Sequence, residues 1–222
     1  MSRHIALFLM IVLAAPADAQ VRRRVPIMPE PSTWVSLGIG LFNGNGVSDG
    51  ATGSTWDFGQ ASNPQFRGSL EKAINPTTSI GATGTYVKVP FTYIGTGGAA
   101  SCTRCAAHLD VMSLGASFHV GGGLGLHQVL EASAGALQYR NLRRDSDGAA
   151  LAPSGGNVDP YFTFGYGFGY TFNPAMQLSV VQDFGLGLHE RTNLTSEQSN
   201  TLRQRTLRLN LRYGFGSRNA RR

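Results

Sequence analysis

Few side chains in this sequence stand at spacings that could do covalent or acid–base chemistry. Cys102 and Cys105 form a CxxC pair within Gly97-Gly98-Ala99-Ala100-Ser101-Cys102-Thr103-Arg104-Cys105. In an oxidising compartment a pair this close is most simply a loop disulfide. Redox catalysis would need a helix N-terminus in a βαβ setting. A metal centre would need two more ligands where only His108 is near, so no metal is expected. Acyl transfer would need a serine, a histidine and an acid at one place. The candidates are Ser117 with His119, and His189 with Glu190. The glycine run Gly121-Gly122-Gly123 precedes no helical pattern, so it is not read as a phosphate loop. What remains is a set of isolated charges, Arg67, Glu71, Glu131, Asp183, Arg208 and Arg212, each set among Gly, Ser and Thr.

Those charges lie on elements with a hydrophobic period of two, which marks strands. Eight segments carry it, running 34–42, 65–74, 79–93, 108–120, 124–139, 162–172, 176–189 and 201–215. The sixth is the clearest: Phe162, Phe164, Tyr166, Phe168, Tyr170 and Phe172 alternate with Thr163, Gly165, Gly167, Gly169 and Thr171. In the seventh, Gln182 interrupts the apolar face, and Pro90 is expected to break the third near its far end. Short connections (75–78, 121–123, 173–175) alternate with long polar ones at about 43–64, 95–107, 140–158 and 190–200. This is the spacing of an up-and-down barrel across a membrane.

Volume decides which face is inside. Six aromatic rings on one face of one strand cannot all point into an eight-stranded barrel, whose interior ordinary side chains already fill. The rings are therefore expected to face lipid, and the Gly, Ser, Thr and charged faces a narrow polar interior. Tyr86, Phe118, Tyr170, Phe172, Tyr213 and Phe215 would sit at interface depth. Arg67, Glu71, Glu131, Asp183, Arg208 and Arg212 would then share the lumen, where acids and bases must pair. Counting back from the last hairpin places Asp183 roughly across from Arg208. The histidines at the rims, His119 near one end and His189 near the other, are a barrel height apart and are read as hydrated.

The N-terminus reads as a secretory signal peptide over residues 1–19: Arg3, an apolar run from Ile5 to Ala15, then Ala17-Asp18-Ala19. A basic tail at 20–32, a barrel domain at 33–216 and a basic tail at 217–222 complete the expected organisation. The chain carries a net charge of +6. Nucleic acid is not the expected partner, because Arg22, Arg23, Arg24, Arg218, Arg221 and Arg222 lie in the tails of a secreted chain.

The eight alternating strands, ending in Leu207-Arg208-Leu209-Asn210-Leu211-Arg212-Tyr213-Gly214-Phe215, resemble the outer-membrane β-barrel domains of the outer-membrane protein A and X type. The final strand is similar to the signal read by the outer-membrane assembly machinery, with Gly216 to Arg222 as an extra tail. The resemblance implies an all-β, eight-stranded antiparallel barrel in the bacterial outer membrane. Its expected partners are outer-membrane lipids and lipopolysaccharide, with the assembly machinery during insertion; a monomer with no cofactor is expected. The role expected first is structural or surface interaction rather than enzymatic, with Arg191, Arg203 and Arg205 at the base of the last long loop meeting lipopolysaccharide phosphates. The alternatives are a narrow pore or carrier for small or hydrophobic solutes, and a lipid A-modifying enzyme.

Overall fold

The computed structural model describes residues 30–59, 61–95, 102–153, 157–191, 194–196 and 198–217. The signal-peptide reading at 1–19 and the tail arginines Arg22, Arg23, Arg24, Arg218, Arg221 and Arg222 lie outside the described residues. The described residues form ten strands: β1 (Thr33–Gly44), β2 (Val47–Ser48), β3 (Thr55–Asp57), β4 (Asn63–Asn75), β5 (Thr78–Ile94), β6 (Arg104–Val120), β7 (Gly125–Arg144), β8 (Val158–Asn173), β9 (Met176–Leu188) and β10 (Thr201–Phe215). Eight of them close into a barrel: each long strand pairs antiparallel with its chain neighbour, and β1 pairs with β10 to shut the ring. Closure leaves no sheet edge facing lipid. The two short strands form a small hairpin inside the first long loop.

Alternation sorts the side chains as the rings required. Leu37, Ile39, Phe162, Phe164, Phe168, Leu209 and Leu211 are all exposed on the outer wall, while Arg67, Glu71, Asp183 and Arg208 are buried on the inner one. At several inner positions only glycine fits, Gly81, Gly115, Gly135 and Gly167 among them. Gly115 and Gly135 oppose each other across β6 and β7, and a Cβ on either would collide with the partner strand's backbone.

The barrel has a turn end, carrying the three short connections, and a loop end, carrying the four long ones. Toward the loop end the polarity of the alternation inverts. On β5 the inward series Ser79, Thr83 continues as Val87, Val89, Phe91 and Tyr93, all buried. The outward series Ile80, Tyr86 continues as Lys88 and Pro90, both exposed. Strands β6 and β7 do the same, with Leu109, Val111, Leu137 and Tyr139 turned inward. The wall therefore leaves the apolar belt and rises from it with the dry-inside, wet-outside pattern of a water-soluble barrel.

Three expectations change here. The interior is not polar throughout, because the loop-end half holds an apolar core. The first long loop is not simply polar: it turns Trp56 and Phe58 into that core. Pro90 does not break its strand, because β5 runs unbroken to Ile94. The last β4 partner on that edge is Val87 and the first β3 partner is Thr92, so Pro90 sits where no neighbour needs its missing N–H.

The inversion on β6 makes two residues of the same strand and face respond differently. Leu114→Arg, within the belt, is expected to lower stability by about 2–4 kcal/mol, and Ala106→Arg, above it, by less than about 1 kcal/mol. Urea unfolding in lipid vesicles measures both; equal costs would place Ala106 in lipid too.

Candidate functional site

The six expected lumen residues sit inside the barrel in two clusters. Arg208 of β10 donates through Nε to Asp183 of β9 at 2.9 Å and through Nη2 to Glu131 of β7 at 2.6 Å. Arg67 of β4 lies 3.2 Å from Glu131 and 3.9 Å from Asp183. His119 of β6 adds its Nδ1, 3.2 Å from the other Glu131 oxygen. Nearer the turn end, Arg212 reaches Glu71 at 2.6 Å and Gln177 at 2.8 Å. The hydroxyls of Ser69 and Ser79 also donate to Glu71, and the Arg212 guanidinium lies 4.7 Å from the Trp34 ring centroid.

In the β9–β10 register Asp183 stands opposite Thr206, and Arg208 opposite Val181. The pairing is therefore diagonal, two residues from direct opposition. A slip of two keeps both side chains on the inner face, so the ion pair survives it. Glycine makes the room: a Cβ at Gly165 would collide with Asp183 Oδ1. Removing one partner of such a buried pair typically costs about 3–5 kcal/mol, because the survivor stays charged and dry.

Above the ions lies the apolar core, built on Phe42, Trp56, Val89, Leu109, Leu137 and Leu202. His189, the residue after β9, is embedded at its top. Its Nδ1 lies 2.7 Å from Asp159 of β8, and its Nε2 lies 3.0 Å from Asp49 in the β2–β3 hairpin. The rings of Trp56 and Tyr139 pack against it with centroids 5.2 and 5.3 Å away. His189 is thus not a hydrated rim residue: its side chain is 0% exposed. Both carboxylates are far off in sequence, which hid them; only the inward phase of Asp159, shared with Tyr161 and Thr163, could have signalled one. Burial opposes the imidazolium, but the hydrogen bonds to Asp159 and Asp49 outweigh it and hold the His189 pKa up to about 9. Burial likewise opposes charge on Asp49, yet hydrogen bonds from His189 and Thr52 keep its carboxyl below the usual range.

The other expected positions are separated. Ser117 and His119 are two residues apart on β6 near the turn end, whereas His189 closes the loop end, so no single site joins them. Cys102 and Cys105 form a disulfide at the start of β6. Arg203 and Arg205 are exposed on the outer wall of β10, registered against Leu186 and Phe184 of β9. With Asn43 and Asn45 they line a groove of about 490 Å³ at the loop-end rim of the belt. Arg191 is exposed in the adjoining loop. On the other side, Arg144 binds Asp147, Arg143 donates to the Gly148 carbonyl, and Asp145 bonds His108.

No protein-family model and no curated protein sequence matches the chain. Among solved structures, Neisserial surface protein A is similar over 85% of this chain and 100% of that one, at 13% identity and a TM-score of 0.52. The outer membrane protein OprG from Pseudomonas aeruginosa matches over 84% of this chain and 98% of that one, at 8% identity and a TM-score of 0.46. The first of these likenesses shows the fold, which is that of the small outer-membrane β-barrels.

The geometry of His189 sets a pH dependence. Its raised pKa means that its charge contributes fully below about pH 6.5, the ordinary histidine value. That contribution is lost as pH rises through about 9. Asp49 contributes above the ordinary aspartate range and is lost as pH falls through its lowered value. Stability measured by urea unfolding should therefore fall between pH 7 and 10, and His189→Gln should flatten that limb. An unchanged alkaline limb in the variant would show that His189 carries no charge in the fold.

Proposed function

We propose that this protein is a sealed barrel of the bacterial outer membrane whose task is structural and surface-directed: it anchors a rigid loop-end collar and does not conduct solute. The observation that carries this reading is the filling of the lumen at two successive levels. Arg208 is 1% exposed within its ion cluster, and Phe42, Trp56 and Leu202 are packed above it. A pore would need a continuous wet path, and buried apolar side chains stand where such a path would emerge. Closure leaves no free strand edge within the belt for self-pairing, which supports a monomer, and β10 ends on the aromatic Phe215 expected of a chain read by the assembly machinery. Reconstituted in planar bilayers, the protein should give no ohmic conductance. Regular unitary steps would overturn this reading in favour of a narrow pore.

The partner reading rests on the outer groove. Arg203 and Arg205 lie just above Leu207 on the outer face of β10, between lipid and water, with Phe184 and Leu186 beside them. Guanidinium groups at headgroup depth over apolar side chains suit a phosphorylated glycolipid such as lipopolysaccharide, whose phosphates they can bind bidentately. Changing Arg191, Arg203 and Arg205 together to Gln should weaken lipopolysaccharide association more than the same change at Arg218, Arg221 and Arg222. Equal effects, measured by co-purification of lipopolysaccharide with the refolded barrel, would mean that net charge matters and position does not.

A further inference from the structure

Above the belt, β7 outruns its neighbour. β8 begins at Val158, opposite Gln138, so residues 139–144 of β7 have no strand partner on that side. The returning loop covers this edge at two points instead. The Asn157 carbonyl accepts the Tyr139 N–H at 3.2 Å, and the Leu142 carbonyl accepts the Leu151 N–H at 3.0 Å. Between these points lies a cavity of about 140 Å³, with the buried Trp56 and Tyr139 at its base. Leu142, Leu151 and Pro153 form its sides, and the exposed Arg140 and Arg143 stand at its mouth.

A β-bulge produces this lining. On β6 only Leu109 separates His108 from Asp110, whereas on β7 both Asn141 and Leu142 separate their partners Arg143 and Arg140. Asn141 sits at a φ of 53°, a left-handed conformation that asparagine tolerates, and its amide donates to Asp110 at 2.6 Å. Strict alternation would put Tyr139 and Leu142 on opposite faces. With the extra residue both pack on the apolar core, while Arg140 and Arg143 both stay exposed. Two guanidinium groups thus share the mouth of one apolar hole. Arg143 is held there by the Gly148 carbonyl at 2.8 Å, and the Arg140 guanidinium has no hydrogen bond or ion pair among the described residues. The nearby acids are already engaged: Asp110 by Tyr86 and Asn141, Asp145 by His108, and Asp147 by Arg144.

We propose that this notch is a binding site for a small aromatic carboxylate met at the loop-end surface. Size sets the first limit. An apolar cavity of about 150 Å³ takes one benzene ring, so a single six-membered ring is what this one holds. The aliphatic sides would leave the hydroxyls of a sugar ring unanswered, which selects an apolar ring. At the mouth, Arg140 and Arg143 offer charge-assisted donors to one carboxylate. An inorganic anion would meet those donors alone and gain nothing from the hole behind them. The notch lies outside the lumen, so the proposal does not depend on the lumen being sealed.

The sequence holds two tryptophans, Trp34 and Trp56, so Trp34→Phe leaves Trp56 as the sole indole reporter at the base of the notch. The refolded variant is titrated with sodium benzoate, with benzyl alcohol (the same ring uncharged) and with sodium glucuronate (the same charge on a hydroxylated ring). Equilibrium dialysis of labelled benzoate against the unaltered protein, with the other two as competitors, replaces the titration if the variant does not refold. Benzoate should bind saturably and about ten-fold tighter than either of the others. Arg140→Gln, which removes the charge, and Ala150→Trp, which fills the cavity that Ala150 lines, should each weaken it about ten-fold. Arg205→Gln, in the β9–β10 groove, should leave it unchanged. Absence of saturable binding would overturn the proposal, and so would benzoate binding that neither Arg140→Gln nor Ala150→Trp disturbs. Benzyl alcohol or glucuronate binding as tightly as benzoate would overturn the choice of an aromatic carboxylate.

Discussion

In a hydrocarbon slab no water can satisfy a peptide group, so every backbone N–H and C=O must find its partner in the protein. The pairing of β1 with β10 is where this chain meets that demand, and the rest of the structure follows from it. Once the sheet is a ring, each strand within the belt must put one face into lipid and the other into a narrow lumen. Aromatic and aliphatic side chains take the outside because they cost nothing there. Within the belt, glycine, serine and threonine take much of the inside, leaving room for the paired charges.

That narrow interior governs what the charges can do. An arginine in the lumen cannot be hydrated as it would be at a surface, and its partners must come from strands the ring has brought within reach. Arg208 finds them on β9 and β7, and Arg67 approaches the same two acids from β4. The ion cluster braces the ring across its diameter, which hydrogen bonds between neighbouring strands cannot do. Its net worth over an apolar filling is small by general experience, whereas its partial loss is not.

Much of this was legible in the sequence because period two carries both the strand assignment and the face. β10 runs from Thr201 to Phe215 as its alternation indicates, and Arg67, Glu71, Glu131, Asp183, Arg208 and Arg212 could be put on one wall before any contact was known. Two things escaped. One was the inversion at Val87, Val89 and Phe91: a mean pattern over the whole segment hides a change of sign within it, although the residues stand in plain order. The other was the Asp49–His189–Asp159 bridge. It joins a loop to two strand ends across separations of 140 and 30 residues, and nothing local announces such a contact.

The same bridge divides the loops into two kinds of real estate for anyone wishing to graft a peptide onto this scaffold. The first loop places Asp49 on His189 and Trp56 in the apolar core, so an epitope inserted there would have to displace part of the fold. The β7–β8 loop is different near residues 145–148, where the side chains are exposed and the chain turns back on itself through Arg144 and Asp147. An exposed turn with few buried contacts is where foreign sequence is usually carried without harm. The loop end is thus a mounting plate with one fixed corner and one open one.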